Sequence, residues 1–100
     1  MGLFGKKITP LTYKEVTRAL KALGFVKQPS KGTAHEQWVM ISSNNKKYKV
    51  TVDKHIAPFT VTLIKSMANQ AGMTDVREFH ALCTGGLKQE RIDELVNQIL

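Results

Sequence analysis

Apolar and polar side chains alternate between residues 47 and 52, and this alternation constrains the fold more than any other feature of the chain. The two sets are Tyr48, Val50 and Val52 against Lys47, Lys49 and Thr51. A period of two is typical of a β-strand with one buried face. The polar segment before it, residues 42–45, contains two asparagines, which tolerate the positive φ of a hairpin turn. The sequence therefore predicts a hairpin of two strands, at about residues 36–42 and 47–53.

The first strand of this hairpin has apolar side chains on both faces. Val39 and Ile41 have the parity of His35, whereas Trp38 and Met40 have the opposite parity. The pattern leaves open which face is buried. Trp38 is either a core residue or a platform that stacks on a nucleic-acid base. A single tryptophan in a strand is more typical of a core.

A capped helix precedes the hairpin. Thr12 and Glu15 fit a capping box, in which each side chain accepts a hydrogen bond from a free backbone N–H group of the first turn. Apolar residues recur at helical spacing behind them, and Gly24 suits the left-handed residue that ends many helices. A short strand at about residues 25–29 follows and is expected to join the hairpin.

Further helices are predicted after the hairpin. One runs from Thr60 to Gly72, and a short one is capped by Asp75. Gly85 and Gly86 then interrupt the chain before a last amphipathic helix at about residues 87–100.

This order of elements predicts an α+β fold, α-β-β-β-α, in which a three-stranded antiparallel sheet carries helices on one face. One hundred residues suffice for a single modest core. We expect a flexible basic arm at residues 1–10 and the main domain at residues 11–83. Residues 84–100 would add the glycine break and an amphipathic helix packed on the same domain.

Positive charge is concentrated in the first half of the chain. Residues 1–54 hold 11 Lys or Arg and 3 Asp or Glu, whereas residues 55–100 hold 4 and 5, and the formal net charge is +7. A basic half beside a nearly neutral half indicates a polyanion-binding face, although a solvated lysine-rich surface has the same composition.

The sequence disfavours a membrane-spanning, a secreted, a disulfide-bonded and a metal-binding protein. No apolar run reaches the roughly 20 residues of a membrane span, and the N-terminus lacks the apolar core of a secretory signal. Cys83 is the only cysteine, so no internal disulfide is available, and we expect a cytoplasmic protein in which Cys83 packs within a helix. The histidines show no metal-ligand spacing, so neither a metal nor another cofactor is predicted.

His35 follows a turn of small residues and stands at the mouth of a predicted strand. Lysines lie on both sides of it in sequence: Lys27, Lys31, Lys46, Lys47 and Lys49. An imidazole can take or give a proton near neutral pH, and lysines stabilise the charge of a phosphate under attack. From the residues alone, His35 is either an acid–base group for cutting an RNA backbone or a turn residue without chemistry.

Three segments of the chain resemble the HicA toxins, which are small mRNA interferases of bacterial toxin–antitoxin pairs. Residues 20–25, LKALGF, are similar to the family's LKxxGF phrase at the end of its first helix. Residues 32–38, GTAHEQW, resemble its Gly-Ser/Thr-x-His segment before a strand. Residues 52–55, VDKH, and the helix at 60–73 resemble its strand, loop histidine and second helix. Asp53 stands where the family commonly has proline.

The resemblance implies a double-stranded-RNA-binding-domain-like fold and cleavage of mRNA without a ribosome. It implies that His35 is the catalytic histidine and that a HicB-type antitoxin covers the active site. The predicted RNA contacts are Lys27, Lys31, Gly32, Thr33, Lys46, Lys47, Lys49 and His55. His55 could instead serve as a second acid–base group or as a loop anchor. The reaction is expected to need no metal ion.

Two other functions are compatible with the same composition. A non-catalytic RNA-binding module of this fold would share the basic charge but would not need His35. A protein-interaction domain would instead use the last amphipathic helix, whose apolar stripe would contact a partner.

Overall fold

The computed structural model describes residues 8–29 and 32–99. Its helices and strands are α1 (Tyr13–Ala22), β1 (Val26–Lys27), β2 (His35–Ile41), β3 (Lys47–Asp53), α2 (Val61–Gln70), α3 (Val76–Thr84) and α4 (Gln89–Ile99), with a 3₁₀ turn at Lys54–Ile56. The predicted α+β class and the α-β-β-β-α order are confirmed. Most of the expected arm, residues 1–7, and one expected RNA contact, Lys31, lie outside the described residues.

The three strands form one antiparallel sheet in the order β1-β2-β3. β2 and β3 pair along their whole length, from His35 opposite Asp53 to Ile41 opposite Lys47. The connecting turn has Asn45 at φ +66°, in the left-handed region that asparagine tolerates. The predicted hairpin is therefore present, with β2 one residue earlier than expected, so that His35 is part of the strand.

The two faces of the sheet differ in burial. The inner face contributes Trp38, Met40, Val50 and Val52 to one core with the apolar faces of the helices. The outer face consists of His35, Gln37, Val39, Ile41, Lys47, Lys49, Thr51 and Asp53, all exposed or half-buried. Of the two alternatives for Trp38, the core position is correct, since only 2% of its surface is exposed.

The capping box of α1 forms as predicted. Thr12 Oγ1 accepts a hydrogen bond from the Glu15 backbone N–H at 3.1 Å, and Glu15 Oε1 accepts one from the Thr12 backbone N–H at 2.9 Å. Gly24 follows the end of the helix at φ +98°. A buried leucine such as Leu20 contributes on the order of 1.5–3 kcal/mol relative to an exposed one, so the inward stripe of α1 holds the helix to the sheet.

The C-terminal helices extend the same core. Asp75 caps α3 by accepting hydrogen bonds from the backbone N–H groups of Arg77 and Glu78. The guanidinium of Arg91 on α4 binds both carboxylate oxygens of Glu78 at 2.5 and 2.9 Å, and Leu95 is 4% exposed within the core. In the described part of the chain, no helix has the length and hydrophobicity to cross a membrane.

Candidate active site

His35 is the first residue of β2 and belongs to the outer face of the sheet, with 63% of its side chain exposed. The turn before it has Gly32 at φ +65°, and Thr33 Oγ1 accepts a hydrogen bond from the His35 backbone N–H at 3.1 Å. The Ala34 carbonyl oxygen accepts one from the Lys54 backbone N–H at 3.1 Å. These bonds fix the backbone of His35 at the end of the ladder, while its ring remains accessible to a large ligand.

Asp53 faces His35 directly across the β2–β3 ladder. Asp53 Oδ2 lies 3.7 Å from His35 Nδ1, and Asp53 Oδ1 accepts a hydrogen bond from the His55 backbone N–H at 3.0 Å. Sequence reasoning missed this carboxylate as a member of the site. The signal was the register of the hairpin, because pairing Ile41 with Lys47 places Asp53 opposite His35.

Lys47 and Lys49 share the outer face with His35 but lie toward the other end of β2. Lys49 is opposite Val39 and Lys47 is opposite Ile41, four and six residues along the strand from His35. At about 3.3 Å per residue, these positions are roughly 13 and 20 Å away along the sheet. They suit contacts with phosphates some distance along a bound strand rather than with the phosphate at His35.

The side chains of three other lysines, Lys27, Lys46 and Lys54, contact groups on the inner side of the sheet rather than on the outer face. Lys46 Nζ lies 5.1 Å from the centroid of the Tyr48 ring. Lys27 Nζ lies 3.4 Å from Glu36 Oε2, with about half of its side chain exposed. Lys54 follows Asp53, and its Nζ lies 5.2 Å from the centroid of the Tyr13 ring. Lys54 was not among the predicted contacts, although it is closer to His35 in the ladder than the lysines of β3 are.

A buried carboxylate supports the site from the inner face. Glu36 is 4% exposed and accepts hydrogen bonds from the Tyr13 hydroxyl at 2.7 and 2.8 Å and from Trp38 Nε1 at 3.1 Å. Burial by itself raises the pKa of Glu36, but the bonds from Tyr13 and Trp38 and the charge of Lys27 outweigh burial and lower the pKa below its ordinary value. Glu36 therefore stays ionised at neutral pH and ties β2 to α1 directly behind His35.

The remaining histidines and the cysteine have separate surroundings. His55 is exposed in the 3₁₀ turn that Asp53 caps. His80 Nε2 lies 3.1 Å from the Thr9 carbonyl oxygen, so this ring contacts Thr9 rather than the surroundings of His35. Burial, followed by the charge of Glu15, raises the pKa of Cys83 to about 12, which disfavours a thiolate nucleophile. Among the residues that the structure describes, no three His, Cys, Asp or Glu side chains form a candidate metal site.

An apolar patch occupies the outer face at the end away from His35. Val26 and Ile41 are 62% and 61% exposed, and half-buried Val39 lies between them, directly opposite Val26. These adjoining apolar side chains form a surface suited to contact with another molecule. We call Val26, Val39 and Ile41 the outer patch.

Comparison with known families identifies a match that covers more than half of the chain. The model of the HicA toxin of bacterial toxin–antitoxin systems matches residues 13–73. This range begins at the first residue of α1 and ends just after α2, so it includes the site around His35 but neither α3 nor α4. No curated protein and no solved structure shows a significant match to the chain.

Proposed function

Because the chain belongs to the HicA toxin family of bacterial toxin–antitoxin systems, we propose that it is a ribosome-independent endoribonuclease that cleaves mRNA with His35 as its acid–base group. The observation that carries this proposal is the exposure of the His35 ring and its position on the sheet. An exposed imidazole stands at the end of a sheet face that also bears lysines, and hydrogen bonds of the preceding turn hold its backbone in place.

In the proposed reaction, His35 takes the proton from a ribose 2′-hydroxyl. The 2′ oxygen then forms a bond to the adjacent phosphorus, the bond from phosphorus to the 5′ oxygen breaks, and the 5′ oxygen takes up a proton from water, from a lysine or from His55. The products are a 2′,3′-cyclic phosphate and a 5′-hydroxyl. A neutral imidazole suits the first step because its ordinary pKa, about 6.5, lies close to physiological pH. Neither a metal ion nor another cofactor takes part.

RNA is proposed to lie along the outer face of the sheet. Lys47 and Lys49 support this best, because both are exposed on the same face as His35. Phosphate contacts from these lysines would align the strand over the histidine without acting on the cleaved bond. The other proposed contacts are Lys27, Lys31, Gly32, Thr33, Lys46 and His55. Of these, Lys27 and Lys46 would have to leave Glu36 and Tyr48 to reach RNA on the outer face.

A HicB-type antitoxin is proposed to cover this same face in the cytoplasm. Family membership implies an antitoxin partner. The outer patch lies beside Lys47 and Lys49, so it suits a partner that presents apolar side chains surrounded by Asp and Glu. A protein bound here would compete with RNA for Lys47 and Lys49, and one that extends along the face would also cover His35.

The experiment compares the wild type with His35→Ala and His80→Ala, each incubated with a long mRNA in the presence and in the absence of a chelator. Cleavage is followed on a gel and RNA binding by filter retention. We expect the wild type and the His80 variant to cleave, the His35 variant not to cleave, and all three to bind RNA similarly. His80 is the matched control because its ring contacts Thr9 rather than the outer face.

Other outcomes would support the competing functions. If all three proteins bind RNA and none cleaves it, the chain is a non-catalytic RNA-binding module. If none binds RNA even at low salt, a protein-interaction domain that uses α4 becomes the better description.

A further inference from the structure

We infer that Asp53 is a positioning residue for His35, whose carboxylate keeps the imidazole proton on Nδ1 and leaves Nε2 free to act as the base. The consequence for catalysis rests on the proposed function, whereas the effect on the ring can be tested without RNA.

The two oxygens of Asp53 have different neighbours. Oδ1 accepts the hydrogen bond of the His55 backbone N–H at 3.0 Å, which starts the 3₁₀ turn. Oδ2 lies 3.7 Å from His35 Nδ1. Capping the turn needs only one oxygen, so the cap alone does not require an acidic residue. The second oxygen supplies a negative charge beside one particular nitrogen of the imidazole.

This charge selects between the two neutral forms of the ring. A neutral imidazole has one N–H group, and an ionised carboxylate can only accept hydrogen bonds. The form with its proton on Nδ1 is therefore favoured beside Oδ2, and Nε2 keeps its lone pair. The distance of 3.7 Å exceeds that of a normal hydrogen bond, but the His35 ring is mostly exposed, so a small rotation of the ring brings Nδ1 within reach of Oδ2.

Asp53→Asn removes the negative charge beside His35 and keeps the capping hydrogen bond of the 3₁₀ turn. Asparagine retains an oxygen that can accept the His55 N–H, and it is as good a capping residue as aspartate. With that oxygen engaged, the amide NH₂ group points toward His35 and donates to Nδ1. The ring proton then moves to Nε2, which can no longer take the proton of a 2′-hydroxyl.

The test measures the ring tautomer and the kinetics in the wild type and in the Asp53→Asn protein. Nitrogen-15 NMR of the His35 ring is recorded at about pH 9, above the ordinary imidazole pKa. We expect the Nδ1–H form in the wild type and a shift to the Nε2–H form in the variant. With a short RNA substrate, kcat should fall at least about 10-fold while KM changes less than about 2-fold.

Asp75→Asn is the matched control, because Asp75 caps α3 through its side chain in the same way. It should leave kcat and the His35 tautomer unchanged. A wild-type His35 with its proton on Nε2 would overturn the inference, and so would an Asp53→Asn protein that retains both kcat and the Nδ1–H form. A wild type that fails to cleave RNA would instead contradict the proposed function, and the tautomer of the ring would still decide the role of Asp53.

Discussion

Lys49 and His35 lie on the same outer face of one hairpin, separated by four residues of β2 because Lys49 pairs with Val39. Under the proposed function, this separation assigns RNA affinity and RNA chemistry to different parts of the face. Substitution of Lys47 or Lys49 should therefore leave the surroundings of His35 unchanged.

We therefore expect Lys47→Ala with Lys49→Ala to weaken RNA binding and to leave kcat at saturating RNA unchanged. Each lysine that neutralises a phosphate of a single strand adds about 0.7 to the slope of log affinity against log salt. Fluorescence anisotropy at several salt concentrations measures that slope. Lys88→Ala, an exposed lysine between α3 and α4, is the control and should change neither quantity. A fall in kcat for the double variant would contradict the separation of the two roles.

Glu36→Gln is expected to destabilise the protein. The substitution removes the charge that accepts bonds from Tyr13, Trp38 and Lys27 in a site that is almost fully buried. Loss of such a bonded charge costs about 1–3 kcal/mol of the free energy of unfolding, which urea denaturation measures. The exposed Glu90→Gln should change it by less than about 0.5 kcal/mol. Equal stability of the two variants would show that the bonds of Glu36 do not stabilise the fold.

Acid should weaken the fold through the same carboxylate. The folded-state pKa of Glu36 is lower than its ordinary value, so its stabilisation is present above the ordinary carboxyl pKa and is lost as pH falls through the lowered value. Thermal unfolding of the wild type and Glu36→Gln should therefore converge as pH falls. A difference in Tm that stays constant over the acid range would contradict this expectation.

Alkali should weaken the fold through Tyr13. Burial, the hydrogen bond to Glu36 and its negative charge raise the pKa of Tyr13 to about 12 from an ordinary value of 10.0. The stabilisation is therefore complete below the ordinary value and is lost as pH rises toward about 12. The difference in free energy of unfolding between the wild type and Tyr13→Phe should shrink over this interval. A constant difference would mean that the hydroxyl is not bonded to Glu36 as described.

Two glycines offer a paired test of packing. Gly72 has φ +85°, and a Cβ atom there would lie 2.9 Å from Cε1 of the Tyr48 ring. Gly32 has φ +65°, but a Cβ atom there would have nothing within 4 Å. Both alanine variants should lose roughly 1–2 kcal/mol to the left-handed backbone. Gly72→Ala should lose more, because the Tyr48 ring must also move. Equal losses in urea denaturation would contradict the close contact.

Local signals in the sequence were sufficient to predict the fold. The capping box of Thr12 and Glu15, the hairpin with Asn45 in its turn, and the cap by Asp75 all depend on residues close together in the chain. The order of helices and strands followed from them. α4 begins at Gln89, two residues later than expected.

The surroundings of His35 depend on contacts that are distant in sequence. β2 has apolar residues on both faces, so periodicity could not decide that Trp38 is buried and Val39 half-exposed. Burial of Glu36 depends on Tyr13, 23 residues earlier, and no local pattern indicates that pair. The approach of Asp53 to His35 required the register of the hairpin, where an error of one residue would move the carboxylate to the other face.

The most direct test of RNA cleavage by His35 is to identify the ends of the RNA fragments. Wild-type protein and His35→Ala are incubated with the same mRNA, and the terminal groups of any fragments are determined by mass spectrometry. Attack by the 2′-hydroxyl predicts 2′,3′-cyclic phosphate and 5′-hydroxyl ends with the wild type and no fragments with the variant. Fragments with 3′-hydroxyl and 5′-phosphate ends, or equal cleavage by both proteins, would contradict the role of His35 as the base.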